Sequence, residues 1–144
     1  MSNGERFKLY SATYLILIKD GKILLLKRFN TGWQDDNYSL ISGHLDGNET
    51  VADSMTREAK EESGINIQPD DLKVVHTMHR ITKDREYIDF FLIANQWKGE
   101  PKILEPDKCS ELTWYPLEQL PQNIIPHVKK AIEYHLNNVA FSEE

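Results

Sequence analysis

The segment from Thr50 to Gly64 is the most strongly specified part of the chain, because the sequence encodes both ends of a helix there. Thr50, with Asp53 three positions later, is typical of a helix N-terminal cap. Gly64 followed by the apolar Ile65 is typical of a left-handed C-terminal cap. The sequence therefore predicts a helix over 50–63, of about four turns. Any fold for this chain has to accommodate it.

Two glutamates lie where the buried side of this helix is expected. At about 100° per residue from Val51, Met55 and Ala59 fall near 40° and 80° and define an apolar stripe. Glu62 falls near 20° and Glu58 near −20° on the same scale, at the edge of that stripe. Carboxylates in this position need compensation if they are even partly buried.

Two interpretations of the acidic helix follow from its residues alone. Glu61 shares the face of Glu58 and Glu62, so Arg57 and Lys60 could simply neutralise a solvated acidic surface, where like charges repel by only a few tenths of a kcal/mol. If the carboxylates are partly buried, a pair about 6 Å apart repels by near 3 kcal/mol at an effective dielectric of about 20, which favours recruitment of a cation. Oxygen-only ligands favour Mg²⁺ or Mn²⁺ over Zn²⁺. Both interpretations stay open at this point.

The remaining pattern predicts an α/β fold in one domain spanning 1–144. The 144 residues match a common domain size. Lys8–Ile18 and Lys22–Arg28 are predicted as strands joined into a β-hairpin by the Asp20-Gly21 turn. The other predicted elements are strands at Tyr38–Ile41, Val74–Ile81, Tyr87–Trp97 and Leu112–Tyr115, and a helix at Ile124–Asn137. Strands on both sides of one helix, followed by a closing helix, indicate an α/β sandwich.

Composition excludes several classes of protein. The net charge of −6 and the pI of 5.4 argue against a nucleic-acid partner. The longest aliphatic runs, Leu15–Ile18 and Ile23–Leu26, are far shorter than a membrane span, and 1–10 has no apolar leader, so a cytoplasmic protein is expected. A single cysteine rules out an intrachain disulfide and a thiolate metal cluster.

Residues 43–65, GHLDGNETVADSMTREAKEESGI, resemble the Nudix box. Gly43 is followed after five residues by Glu49, and after seven more by the run Arg57 to Ile65, so every fixed position is present. By average residue usage such a match arises by chance about once in 10⁸ starting points. The chain is most similar to small MutT-type nucleoside triphosphate pyrophosphohydrolases. The resemblance implies an α/β/α sandwich around a mixed β-sheet.

The resemblance also implies roles for individual residues. It implies that the metal ligands are Glu58, Glu61, Glu62, a further acidic residue from the loop after the long strand, and the backbone carbonyl of Ser42. Glu105 is the expected loop ligand, ahead of Glu100 and Asp107. Catalytic roles fall to Glu58 as general base, Glu61 and Arg57, with Glu49 and Gly43 as supporting residues. The sequence LISG replaces the more usual Pro-Gly-Gly turn before the box, so the Ser42 ligand departs from the family pattern.

Substrate contacts are predicted at three positions. Lys27 and Arg28, at the end of a predicted strand, resemble a place where the family contacts substrate. Arg28 is preferred because its planar fork suits phosphate or a purine edge, although a solvated strand end would look the same. Asn123 lies near a base-reading asparagine of MutT-type enzymes, with its spacing to Pro126 shifted by one residue. Tyr38 could stack on a base, although aromatic residues in strands more often belong to the core.

The activity that the resemblance implies is hydrolysis of a nucleoside diphosphate derivative, with a nucleoside triphosphate giving a monophosphate and pyrophosphate. One alternative is a pyrophosphatase for ADP-ribose, another nucleotide sugar or a dinucleoside polyphosphate. A different class is a Nudix-fold module that senses a nucleotide without cleaving it, but such a module would be expected to lose box carboxylates. The expected partner is a small-molecule nucleotide. Dimers are frequent in this family, so a homodimer is one expected assembly, although no sequence feature requires it.

Overall fold

The computed structural model of the chain describes residues 4–144. The strands are β1 (Tyr10–Ile16), β2 (Ile18–Lys19), β3 (Lys22–Arg28), β4 (Tyr38–Ser39), β5 (Ile41–His44), β6 (Leu72–Ile81), β7 (Glu86–Ala94), β8 (Cys109–Pro116) and β9 (Phe141–Glu143). The helices are α1 (Val51–Ser63) and α2 (Pro126–Leu136), with a 3₁₀ turn at Pro69–Asp71. Within residues 4–144, no helix is both long and apolar enough to cross a membrane.

The central sheet is mixed. Its strand order is β5-β1-β7-β6-β9, with β1 parallel to β7 and β6 parallel to β9, while the other two pairs are antiparallel. A smaller antiparallel sheet is built around β3, which pairs with β2, β4 and β8. The predicted mixed sheet is therefore confirmed.

The two helices cover opposite faces of the central sheet. Alternate residues of β1 point to opposite sides, so that Ala12 and Tyr14 share one apolar cluster with α2, and Leu15 shares the other with α1. Met55 and Ala59 of α1 are fully buried in the second cluster, as the apolar stripe predicts. The expected α/β/α sandwich is confirmed.

Both predicted ends of α1 are present. The Thr50 side chain accepts a hydrogen bond of 3.0 Å from the Asp53 amide, and Gly64 adopts a left-handed φ of 78° while its amide donates to the Lys60 carbonyl. These caps fix where the helix starts and stops, and hence the angular positions of its glutamates.

The predicted hairpin between 8–18 and 22–28 is wrong in its pairing. Asp20 and Gly21 do form a turn with positive φ at both residues, but only β2 pairs with β3 across it. Strand β1 belongs to the central sheet, between β5 and β7. Alternation along a strand specifies which side chains face a core, whereas it does not specify the neighbouring strand. The predicted strand Tyr38–Ile41 is likewise divided, because β4 and β5 lie in different sheets.

Candidate active site

An acidic cavity of about 630 Å³ lies between the N-terminal end of the box, the α1 glutamates and the loop before β8. Its walls include the sequence-predicted metal ligands Glu58, Glu61, Glu62, Glu105 and Ser42. Glu105 reaches it from the loop, while Glu100 and Asp107 do not line it. The fold thus brings together residues that are up to 63 positions apart in the chain.

Arg57 organises the rim of this acidic cavity. Its guanidinium donates to both carboxylate oxygens of Glu49, at 3.1 and 2.8 Å, and to Glu58 Oε1 at 2.7 Å. Glu61 lies farther from it, at 3.5 Å. Hydrogen bonding from Arg57 lowers the pKa of Glu49, and Glu49 in turn raises the pKa of Arg57. Glu49 therefore holds the guanidinium that orients Glu58.

Glu58 and Glu62 are the less exposed glutamates of the cavity. The Glu58 side chain is 13% exposed, whereas that of Glu61 is 54% exposed. Burial, followed by the neighbouring Glu58 carboxylate, raises the pKa of Glu62 well above its usual range, although the Ser42 amide donates to Glu62 Oε1 at 3.4 Å. The predicted placement of two carboxylates at the edge of the buried arc is confirmed.

Gly43 makes room for Glu58. A Cβ atom at position 43 would lie 2.6 Å from Glu58 Cγ and closer still to the carboxylate. Because Gly43 pairs with the buried Thr13 of β1, its backbone is fixed by the central sheet. The glycine of the box thus serves a close approach between strand and helix.

The donor set of the acidic cavity fits a hard divalent cation. Its four carboxylates supply oxygen, which is the ligand type of Mg²⁺ and Mn²⁺. His44 and Cys109 also line the cavity, and the Cys109 thiol donates to the Glu111 carbonyl. Among residues 4–144, no three acidic, histidine or cysteine side chains are arranged closely enough to hold a metal ion as they stand. Glu58 is hydrogen-bonded to Arg57 instead. A cation bound beside Glu62 would compensate the burial and the Glu58 repulsion that raise the pKa of Glu62.

A second cavity, of about 680 Å³, adjoins the acidic one. The two share Arg28, Ser42, Gly43 and His44 as walls. The remaining walls of the second cavity are aromatic or basic for the most part: Ala12, Tyr14, Trp33, Arg80, Thr82, Lys83, Asp84, Arg85 and Tyr87. An acidic compartment is thus joined to one that is rich in aromatic rings and cations.

The three predicted substrate contacts are placed differently. Arg28 lines both cavities, with its guanidinium 5.0 Å from the centre of the Trp33 ring. Tyr38 lines neither cavity; it is buried in the core and donates its hydroxyl hydrogen to Glu111 at 2.8 Å. Asn123 also lines neither, since its side-chain amide donates to the Asp36 carbonyl at 2.7 Å. The structure gives these two residues packing and loop-anchoring contacts in place of the predicted substrate contacts.

Sequence reasoning missed most of the second cavity. Trp33 lies in a loop, and Arg80, Arg85 and Tyr87 lie at the β6–β7 turn, where no motif marks them. The position of Tyr87 follows from the parallel pairing of β1 with β7, which sets Tyr10 beside Tyr87. The sequence does not indicate that these two strands pair, so this part of the cavity could not be predicted from it.

The fold and this carboxylate cavity define a class of protein. The family described as NUDIX domain matches residues 9–135, and the chain belongs to this family of hydrolases. Two relatives agree. The chain is 31% identical over 121 residues to the uncharacterized Nudix hydrolase YvcI of Bacillus subtilis, covering 81% of this chain and 71% of that protein. It is 30% identical over 119 residues to an ADP-ribose pyrophosphatase of Methanocaldococcus jannaschii, covering 83% and 69%.

Solved structures show the same architecture. A MutT NUDIX hydrolase from Burkholderia pseudomallei superimposes with a TM-score of 0.80 at 26% identity, covering 88% of this chain and 98% of that one. A MutT protein from Methanosarcina mazei Go1 superimposes with a TM-score of 0.77 at 16% identity, covering 90% and 94%, a likeness of fold alone. The chain is therefore an enzyme of the Nudix hydrolase class, a family that generally uses a divalent metal and acts on small nucleotide substrates.

Proposed function

We propose that this protein, as a single Nudix domain over 1–144, hydrolyses a nucleoside diphosphate derivative with Mg²⁺ or Mn²⁺ as cofactor. The leading substrate is a nucleoside triphosphate, which water converts to a nucleoside monophosphate and pyrophosphate. The observation that carries the proposal is the convergence of Glu58, Glu61, Glu62 and Glu105 on one cavity. That cavity shares Arg28 and 42–44 as walls with a second one large enough for a nucleoside.

The residues of the acidic cavity have distinct roles in this proposal. Bound divalent cations would neutralise the diphosphate and acidify the attacking water. Glu58, Glu61, Glu62, Glu105 and the Ser42 carbonyl would hold the cations. Glu58 also accepts the proton of the water, in an orientation set by its 2.7 Å hydrogen bond from Arg57. Arg28, at the junction of the two cavities, contacts the phosphates through the donors that remain beside its hydrogen bonds to the Trp33 carbonyl at 2.8 Å and the Thr31 hydroxyl at 2.9 Å.

A second substrate class has support of its own. The ADP-ribose pyrophosphatase of M. jannaschii covers most of this chain at 30% identity, which favours ADP-ribose or a related nucleotide sugar as the alternative. The same attack of water on a diphosphate would then release AMP and a sugar phosphate. A cytoplasmic location and a homodimer stay predictions.

Steady-state hydrolysis with Mg²⁺ tests these possibilities. The substrates are the four common nucleoside triphosphates, ADP-ribose and a dinucleoside polyphosphate, and the products are separated by ion-exchange chromatography. Release of pyrophosphate and monophosphate from a triphosphate supports the leading proposal. Preferential cleavage of ADP-ribose supports the alternative, and binding without turnover of any substrate contradicts both in favour of a nucleotide sensor. Glu58→Gln and the surface variant Glu118→Gln are measured alongside, because only the first changes the acidic cavity.

A further inference from the structure

Arg80 is a buried arginine in the wall of the second cavity. The residue is only 8% exposed, and it lies on β6 directly across from Tyr87 of β7. Its Nε donates to Asp89 Oδ2 at 2.7 Å and its Nη2 donates to Asp89 Oδ1 at 3.3 Å. Asp89 itself is fully buried. The Asp89 carboxylate therefore compensates the charge of Arg80 and holds its guanidinium in one orientation.

This arrangement leaves donors available to the cavity. A guanidinium has five N–H groups, of which the Asp89 contacts use two. Among residues 4–144, Nη1 has no hydrogen-bond acceptor, and it is not sealed off from solvent. The guanidinium carbon also lies 4.2 Å from the centre of the Tyr87 ring, which fixes the plane of the group. The wall thus presents a rigid set of donors to whatever occupies the space.

The rest of the second cavity suits a flat ring. Trp33 lines the cavity and is 48% exposed. Tyr14 and Tyr87 line it as well, but Tyr14 is stacked on Phe91 at 4.6 Å and the Tyr87 ring is covered by the Arg80 guanidinium. An exposed aromatic ring such as that of Trp33 can stack on a nucleobase. A planar ligand beside these rings would meet Arg80 at one edge.

We propose that Arg80 is a specificity-determining residue that reads the nucleobase, selecting bases whose edge carries two adjacent hydrogen-bond acceptors, such as O6 and N7 of guanine. This inference rests on the proposed function, because it assigns the second cavity to the nucleoside of the same substrate. Adenine presents an amino donor next to N7, which would oppose the donors of Arg80. Guanine nucleotides are therefore preferred to adenine nucleotides.

A series of substrates tests the proposal on the unaltered protein. We expect kcat/KM for GTP to exceed that for ATP by about tenfold or more, the lower end of what a bidentate contact to a base discriminates. Inosine triphosphate keeps both acceptors and should behave like GTP. A 7-deazaguanosine triphosphate lacks the N7 acceptor and should lose most of the advantage. Equal turnover of GTP, ATP and the 7-deaza compound overturns the proposal while leaving the proposed function intact.

The variant Arg80→Lys assigns the preference to this side chain. Lysine retains the positive charge beside Asp89 but lacks the planar fork, so the ratio of kcat/KM for GTP to that for ATP should fall to within about threefold. The control variant Arg6→Lys lies outside both cavities and should leave this ratio unchanged. A loss that is equal for both nucleotides indicates a structural role only and overturns the proposal.

Binding separates this proposal from the proposed function. The dissociation constants of α,β-methylene analogues of GTP and ATP, measured by calorimetry with Mg²⁺, do not depend on turnover. Tighter binding of the guanine analogue supports the proposal even if no nucleotide is hydrolysed, and equal binding contradicts it.

Discussion

At the scale of single residues, the glutamates of α1 differ in how much they are shielded from solvent. Glu62 is half-buried against Glu58, and its carboxylate has a raised pKa, whereas Glu61 is more than half exposed. The same amino acid at neighbouring positions thus experiences different electrostatic costs. We therefore expect that removing the Glu62 charge weakens cation binding and raises the free energy of unfolding of the metal-free protein.

We expect Glu62→Gln to lower kcat by at least about 100-fold at saturating Mg²⁺, because the variant removes a carboxylate that we propose as a metal ligand. In EDTA the variant should unfold at the same or a higher urea concentration than the original protein at neutral pH, because a like charge beside Glu58 is gone. Turnover and urea titrations measure the two effects, with the exposed Glu118→Gln as control. Full activity of Glu62→Gln would contradict the ligand assignment.

Gly43→Ala tests the close approach between β5 and α1. The added Cβ displaces the Glu58 carboxylate from its position beside Arg57, so kcat should fall by about tenfold or more. Far-ultraviolet circular dichroism should be unchanged, since position 43 has an ordinary backbone conformation and only the flexible Glu58 side chain has to move. Unchanged kcat would show that Glu58 works equally well from a different position.

At the scale of elements, sequence reasoning succeeded where the determinants are local. The ends of α1 and the arc of its glutamates depend on residues within one segment, and both were predictable. The partner of β1 depends on contacts with β5 and β7, which are about 30 and 75 residues away. The three-residue β9 has no pattern of its own and is defined by its pairing with β6. For the same reason Tyr38 and Asn123 could not be separated from cavity residues by sequence.

We expect Thr50→Ala to lower the free energy of unfolding by about 1 kcal/mol, because the Asp53 amide loses its cap. Thr50→Ser retains the hydroxyl and should stay within about 0.5 kcal/mol of the original protein. Both variants should keep kcat within about twofold, since Thr50 does not line the acidic cavity. Urea unfolding and steady-state turnover provide the measurements, and a serine variant as unstable as the alanine variant would rule out the cap as the cause.

At the scale of the whole molecule, the charge distribution is more informative than the net charge. The chain carries −6, yet its two adjoining cavities differ in charge. One is lined by four carboxylates with Lys108, the other by Arg80, Lys83 and Arg85 with Asp84, and Arg28 lines both. Cations and anionic ligands are each attracted to one side of a shared wall. Composition alone could not indicate this separation.

Magnesium should stabilise the folded protein as a whole. A cation that binds the acidic cavity only in the folded state raises the melting temperature with its concentration, by a few degrees at a large excess over its dissociation constant. In Glu62→Gln the rise should be much smaller. Differential scanning calorimetry with increasing MgCl₂ compares them, and an identical rise in both proteins would indicate binding elsewhere on the surface.

His127 makes stability depend on pH. Burial, together with Arg80, lowers its pKa to about 3, while the unfolded chain takes up a proton near the ordinary value of about 6.5. Between these values the unfolded state binds more protons, so the free energy of unfolding falls as the pH falls. Between roughly pH 7 and roughly pH 4.5, we expect the free energy of unfolding of His127→Gln to fall by about 2 kcal/mol less than that of the original protein. Urea titrations at both pH values measure this, and parallel losses would exclude His127 as the source.

The shared wall of Ser42, Gly43 and His44 separates two sets of residues that come from different parts of the chain. The carboxylates belong to α1 and the loop before β8, whereas Arg80, Lys83, Arg85 and Tyr87 belong to the β6–β7 hairpin. Under the proposed function, we expect redesign of that hairpin to alter which molecules bind without changing the carboxylates of the acidic cavity. A library randomised at 82–85 offers a direct route to Nudix enzymes with new selectivity on an unchanged reaction centre.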